Sequence, residues 1–150
     1  MIIDRSALNS VKSGIESLGF EHFGTSVRSF MESLENDGRY VLFCSMNDGV
    51  LTGYLIISVV CDEAEVIQIA VGRDLLRKGV ATGLIKECFE YLQKRSVISL
   101  FLEVRVSNVT AISFYEKTGF VVTGMRKNYY SDPVEDAIIM SMRLCCHCSG

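Results

Sequence analysis

The sequence predicts an α/β (α+β) domain with the element order α-α-β-β-β-α-β-α-β-β, and three observations carry that prediction. Apolar residues in the first third repeat at three and four positions, the period of an amphipathic helix. From Arg39 the chain changes to short runs of β-branched and aromatic residues, with Asn47-Asp48-Gly49 between the first two. Beyond Gly72 the helical period returns and alternates with strand-like runs. A chain of 150 residues is long enough for one core and short for two, so residues 1–144 are expected to form a single domain.

Leu8, Val11, Ile15 and Leu18 lie on one face of a first helix, which Gly19 is expected to end. A short aromatic loop over residues 20–24 follows, and Gly24-Thr25-Ser26 supplies a break and a candidate N-cap. Val27, Phe30, Met31 and Leu34 mark the second helix. Residues 40–45 and 53–60 read as strands joined by the Asn47-Asp48-Gly49 turn, an antiparallel start to the sheet. A third strand, 66–71, follows the acidic turn Asp62-Glu63-Ala64-Glu65. Ala81, Leu84, Ile85, Cys88, Phe89 and Leu92 then form one helical stripe ending near Lys94-Arg95. Residues 100–106 form a strand, 110–117 a short helix closed by Gly119, and 120–126 and 137–144 the last two strands. The final Cys145-Cys146-His147-Cys148-Ser149-Gly150 has no periodicity and reads as a flexible tail.

Hydrophobic residues make up 49% of the chain and charged ones 22%, a globular composition. No apolar run reaches the roughly 20 residues of a transmembrane helix, and Met1-Ile2-Ile3-Asp4-Arg5 lacks the layout of a signal peptide. A cytoplasmic protein with no membrane contact is the expectation. The net charge of −3 argues against direct nucleic-acid binding. Arg73, Arg77 and Lys78, beside glycine, form a local basic patch suited to a small anion. Cys44, Cys61 and Cys88 fall in apolar segments and read, with Cys145, Cys146 and Cys148, as free thiols. The tail cysteines match no standard metal-ligand spacing, so no metal is expected.

The junction from strand 66–71 through the loop 72–78 to the helix opening at Gly79 is the most informative stretch. Backbone N–H groups at a helix start have no intrahelical partner, and the helix dipole favours negative charge there. Arg77-Lys78-Gly79-Val80-Ala81-Thr82-Gly83 adds basic side chains, two glycines and a hydroxyl, which suits a pyrophosphate but equally describes an ordinary loop-to-helix transition. It matches neither the P-loop nor the dinucleotide fingerprint, so a kinase or dehydrogenase is disfavoured. Downstream, alternation places Leu100, Leu102, Val104 and Val106 on one strand face, and Phe101, Glu103 and Arg105 on the other. There Glu103 and Arg105 read either as an intrastrand ion pair or as a functional carboxylate beside an arginine.

Arg77-Lys78-Gly79-Val80-Ala81, Leu102-Glu103-Val104-Arg105 and the run from Asn108 through Ala111-Ile112 to Phe114-Tyr115-Glu116-Lys117-Thr118-Gly119-Phe120 resemble the coenzyme-binding core of the GNAT superfamily of N-acetyltransferases. Arg126-Lys127-Asn128-Tyr129-Tyr130 and Glu135-Asp136-Ala137-Ile138-Ile139-Met140 are similar to the closing segment of its RimI-type ribosomal-protein alanine N-acetyltransferases. The resemblance implies a mixed sheet in which two parallel strands splay apart around acetyl-CoA. It implies that Ile69, Ala70 and Val71 bind the acetyl and pantetheine portion, that Arg77, Lys78, Gly79, Val80, Ala81 and Thr82 bind the pyrophosphate, and that Asn108 contacts the cofactor. It also implies Glu103 as base and Tyr115 as acid. The implied acceptor is a protein N-terminus, the alanine of a small-subunit ribosomal protein, reached by direct transfer in a ternary complex.

The chemistry bears on those roles. An α-amine with a pKa of about 7.7 to 8.0 must lose a proton before attack, and a carboxylate near 4.3 is too weak to take it outright, which favours relay through water. A phenol near 10 facing a thiol near 8.5 is about 1.5 pH units short of full transfer, so Tyr115 is expected to donate a hydrogen bond to developing charge. Two positions depart from the family pattern. Leu76 stands where the cofactor loop usually begins with Gln or Arg, and His22-Phe23-Gly24-Thr25-Ser26 replaces a Phe-Pro-Trp-Ser-like stretch that helps form the acceptor site. A small-molecule amine or a lysine side chain thus stays open as acceptor, as does a non-catalytic acyl-CoA-binding module. Tyr129 and Tyr130 either line the acceptor groove or pack an edge strand.

Overall fold

A computed structural model of the chain describes residues 1–3, 7–23 and 28–144. Strand β1 (Ile2–Ile3) precedes helices α1 (Leu8–Phe23) and α2 (Arg28–Asn36), then β2 (Tyr40–Asn47), β3 (Val50–Val60) and β4 (Glu63–Val71). A 3-10 turn (Arg73–Leu75), α3 (Val80–Gln93), β5 (Ser99–Arg105), α4 (Val109–Thr118), β6 (Val121–Ser131) and β7 (Val134–Arg143) complete the chain. The strands form one sheet in the order β1-β2-β3-β4-β5-β7-β6, antiparallel throughout except for the parallel pair β4–β5. This is the expected mixed sheet and element order, with β1 added as an edge strand too short to leave a periodic signal.

Each face of the sheet carries its own core. Leu8, Val11, Ile15 and Leu18 of α1, with Met31 and Leu34 of α2, cover Leu42, Tyr54, Ile56 and Ala70. On the opposite face Leu84, Ile85, Cys88 and Leu92 of α3 cover Phe43, Leu55, Ile57, Val66, Leu100 and Leu102, with Tyr115 and Phe120 in the same cluster.

Gly19 does not end the first helix, and residues 20–23 are not a loop: α1 runs on to Phe23, with Leu18 and Gly19 both buried. A glycine inside a helix costs about 1 kcal/mol, whereas burying a leucine contributes about 1.5–3 kcal/mol, so packing outweighs propensity. The proposed break at Gly24-Thr25-Ser26 and the tail 145–150 lie outside the described residues. The first hairpin turns at Asp48 (φ 49) and Gly49 (φ 77), two left-handed residues that suit a tight two-residue connection. The acidic run 62–65 is mostly strand: only Cys61 and Asp62 form the turn, while Ala64 is buried in β4 between exposed Glu63 and half-buried Glu65. Cys61 is correspondingly exposed, whereas Cys44 and Cys88 are buried as expected. Val106 is exposed beyond the end of β5, so the apolar face of that strand stops at Val104. No helix among the described residues is long and apolar enough to cross a membrane.

Candidate active site

The parallel pairing of β4 with β5 is confined to Glu63, Ala64 and Glu65 opposite Ser99, Leu100 and Phe101. Past this point β4 stays with β3 and β5 with β7, so the two strands part and open a cleft through the sheet. A register shift in β3–β4, where Ile56 and Ile57 face Gln68 and Val66, leaves Ile67 as an extra residue at the start of the opening.

On the α3 side the cleft is a cavity of about 440 Å³. Ile69, Ala70 and Val71 form one wall, and Arg77, Gly79, Val80, Ala81 and Thr82 the rim at the start of α3. Asn108 and Tyr115 close it from the α4 side. Lys78 is the one expected cofactor residue outside this lining; it is exposed. Gly79 caps α3 at φ 84, a left-handed conformation natural to glycine, and no side chain caps the helix, leaving its first N–H groups toward the cavity. A Cβ at Gly79 would meet nothing within 4 Å, so this rim is open to a ligand. Leu76, at the position that departs from the family loop, also lines the cavity. Arg73 turns away from it, pairing with Glu21 at 3.0 Å and donating to the Glu21 carbonyl at 3.2 Å. Asn108 accepts from the Ala111 N–H at 3.2 Å, so its side chain caps α4 and thereby sets where Tyr115 projects.

On the α1 side lies a second cavity of about 530 Å³, lined by Gln68, Glu103, Arg105 and Tyr130 with His22 and Phe23 from the end of α1. His22, Ile69, Asn108, Ala111 and Tyr115 border both cavities. His22 Nε2 donates to the Val71 carbonyl, tying α1 to the end of β4. Glu103 does not pair with Arg105 along the strand. Instead Arg126 Nε reaches Glu103 Oε1 at 2.9 Å, with the Glu103 side chain only 9% exposed, and Arg105 pairs with Glu135 at 3.3 Å. Side chains two apart on a strand point the same way, but the paired neighbour β7 and edge strand β6 bring opposite charges closer.

Hydrogen bonding to Glu103, then burial, pushes the Tyr129 phenol up to about 12. Burial and the Glu103 charge raise Tyr130, with Arg105, 4.2 Å over its ring, pulling the other way. Tyr130 lines the cavity whereas Tyr129, half-exposed, does not, so of the pair one faces the groove and the other holds Glu103 from the edge strand. Glu65 is also raised, by burial and then by Glu103, with Arg126 opposing. Glu135 is lowered by its hydrogen bonds to Ser107 and by Arg105. Burial drives Tyr115 up to about 12, which widens its mismatch with a thiol near 8.5 to roughly 3.5 pH units.

A cleft that traverses a sheet at a splayed parallel pair, with an uncapped helix start on one side and a carboxylate on the other, suits transfer between two ligands entering from opposite faces. Residues 13–120 match the family model described as acetyltransferase (GNAT) family. The chain belongs to the GNAT acetyltransferase family. As a GNAT enzyme it is an acetyl-CoA-dependent N-acetyltransferase. It is 42% identical over 106 residues, 69% of its length and 72% of the other, to the [ribosomal protein bS18]-alanine N-acetyltransferase of Escherichia coli strain K12. The crystal structure of the ribosomal-protein-S18-alanine N-acetyltransferase from Escherichia coli superposes with a TM-score of 0.80 at 35% identity, covering 96% of this chain and 93% of that one. Ard1 from Thermoplasma volcanium superposes with a TM-score of 0.78 at 26% identity, covering 97% of each chain.

Within this GNAT fold the expected residues other than Lys78 and Tyr129 line the two adjoining cavities, Tyr115 standing between them. Sequence reasoning assigned no role to Gln68, took His22 only as part of a stretch that departs from the family pattern, and took Arg126 only as part of the closing segment. The expectation of a loop at 20–24 hid the bond from His22 to β4, and Arg126 acts from a strand distant in sequence. Gln68 did carry a signal, as a polar side chain inside the apolar run 66–71.

Proposed function

We propose that this GNAT enzyme is a protein N-terminal acetyltransferase whose acceptor is the N-terminal alanine of a small-subunit ribosomal protein, in the cytoplasm. The observation that carries the reading is the placement of Glu103 and Tyr115 in one cavity that adjoins the α3 rim. The similarity to the bS18-alanine enzyme supports the acceptor. In this reading Ile69, Ala70 and Val71 hold the acetyl and pantetheine end of acetyl-CoA, Arg77 to Thr82 the pyrophosphate, and Asn108 flanks the thioester. The apolar strand wall and open helix start fit those two chemistries.

Glu103 draws a proton from the α-ammonium through ordered water. The free amine attacks the acetyl carbonyl, the C–S bond breaks as the new C–N bond is completed, and the nitrogen gives up its second proton to the same ordered water. Tyr115 donates a hydrogen bond to the departing sulfur. Because a phenol near 12 gives up its proton reluctantly, the thiolate takes its proton finally from water. Tyr130 lines the acceptor groove and Tyr129 orients Glu103.

An acceptor panel tests the reading. The protein and acetyl-CoA are mixed with a peptide beginning with alanine, with the same peptide blocked at its α-amine but carrying a lysine, and with polyamines, and thiol release is followed. Turnover confined to the free-amine peptide is the expected result. Turnover only with the lysine peptide or the polyamines moves the acceptor to a side chain or small amine, and binding of acetyl-CoA without turnover makes the protein a binding module.

A further inference from the structure

Gln68 stands in β4 between Ile67 and Ile69. The extra residue at Ile67 reverses side-chain parity along the strand: Ala64 and Val66 pack beneath α3, whereas Ala70 packs beneath α1. Gln68 shares the parity of Ala70 and so lines the α1-side cavity with Glu103 and Tyr130. Tyr54, fully buried, donates its hydroxyl to Gln68 Oε1 at 2.9 Å. A buried hydroxyl proton left without an acceptor is destabilising, so the core fixes which end of the carboxamide is oxygen. Among the described residues Nε2 has no hydrogen-bond partner, and no buried side-chain nitrogen or oxygen lacks one. The two Nε2 protons therefore face the cavity.

We infer that Gln68 is an acceptor-binding residue that donates from Nε2 to the first carbonyl of the acceptor peptide, with Tyr54 as the positioning residue that orients the carboxamide. The inference deepens, and rests on, the peptide-acceptor reading above. Every aminoacyl acceptor carries a carbonyl carbon two bonds from the reacting nitrogen; polyamines carry none. With Glu103 receiving the amine, a fixed donor on the neighbouring splayed strand reads that carbonyl. An acceptor without it leaves the donor unpaired in a partly buried site, the arrangement that discriminates most strongly between substrates. The mixed lining of this cavity matches such a ligand, with Glu103 and Gln68 for the amine and carbonyl, and Phe23 and Val66 for apolar atoms.

The test compares wild type, Gln68→Leu, Gln68→Glu and Tyr54→Phe on two acceptors: a peptide beginning with alanine, and the same peptide with its first amide replaced by an alkene isostere that keeps the shape and removes the carbonyl. Gln68→Leu is expected to lower kcat/KM about 10- to 100-fold on the peptide and less than about threefold on the isostere. Gln68→Glu keeps the size but removes the donor, so it should reproduce the peptide-selective loss, which a packing role would not. Tyr54→Phe should lose in the same direction, on the peptide alone. Equal losses on both acceptors overturn the inference while leaving the peptide reading intact. A wild type that acetylates only polyamines or lysine side chains overturns both.

Discussion

Tyr115 is held by a chain of local causes: Asn108 caps α4, Gly119 closes it at φ 107, and Phe114 and Phe120 pack against the ring at 5.2 and 5.5 Å between centroids. That packing raises the phenol pKa to about 12. A raised acid keeps its proton, so the hydroxyl remains a donor across the whole range in which the acceptor amine, near 7.7 to 8.0, becomes free. The rate should accordingly rise with pH through the amine titration and show no fall from Tyr115 ionisation below about pH 11. Tyr115→Phe is expected to lower kcat by about 10²-fold while the KM for acetyl-CoA changes less than about threefold. Steady-state kinetics that show a rise in KM alone would assign Tyr115 to binding. The position of Glu103 has a different origin, since Arg126 and Tyr129 reach it from β6, and these two contacts hold the carboxylate at the cavity wall.

At the scale of elements, the start of α3 depends on a left-handed residue at Gly79. Gly79→Ala places an L-residue there, which costs about 1–2 kcal/mol, and for a chain of this size should lower Tm by about 2–8 °C. Its Cβ meets no protein atom within 4 Å, so a several-fold rise in the acetyl-CoA KM beyond the stability loss would report contact with the ligand itself. The strands, the hairpin at Asp48-Gly49 and the helix pattern were legible because each is written in a local period or turn. The α3 rim and Tyr115 were legible through the motifs at 77–81 and 108–120, which resemble the family's coenzyme-binding core, and not through any local period. The end of α1 was misread because Gly19 is a local stop signal that burial overrides. The Glu103–Arg105 ion pair, one of the two readings open from sequence, does not form because Arg105 is taken by Glu135, a contact fixed by the β5–β7 pairing and invisible to spacing. Gln68 could be seen as polar in an apolar run, but only the Tyr54 hydrogen bond shows which way its carboxamide points.

For the molecule as a whole, the sheet divides the cleft into two cavities. One cavity opens on the α3 face and the other on the α1 face, and they adjoin at Tyr115, Ile69 and Asn108, where the splayed strands leave a passage. In the proposed reading donor and acceptor meet through the sheet, each bound before transfer. Glu103 and Tyr115, the proposed base and acid, flank this passage, and Cys44 and Cys88 are sealed in the core with thiols raised by burial to about 12, unsuited to carrying an acetyl group. Direct transfer from acetyl-CoA to the bound amine is the proposed course. The decisive measurement is an initial-rate study in which acetyl-CoA is varied at several fixed concentrations of an alanine peptide, with the protein mass recorded after exposure to acetyl-CoA alone. Intersecting double-reciprocal lines and an unmodified protein are predicted; parallel lines with an acetylated protein would contradict the account.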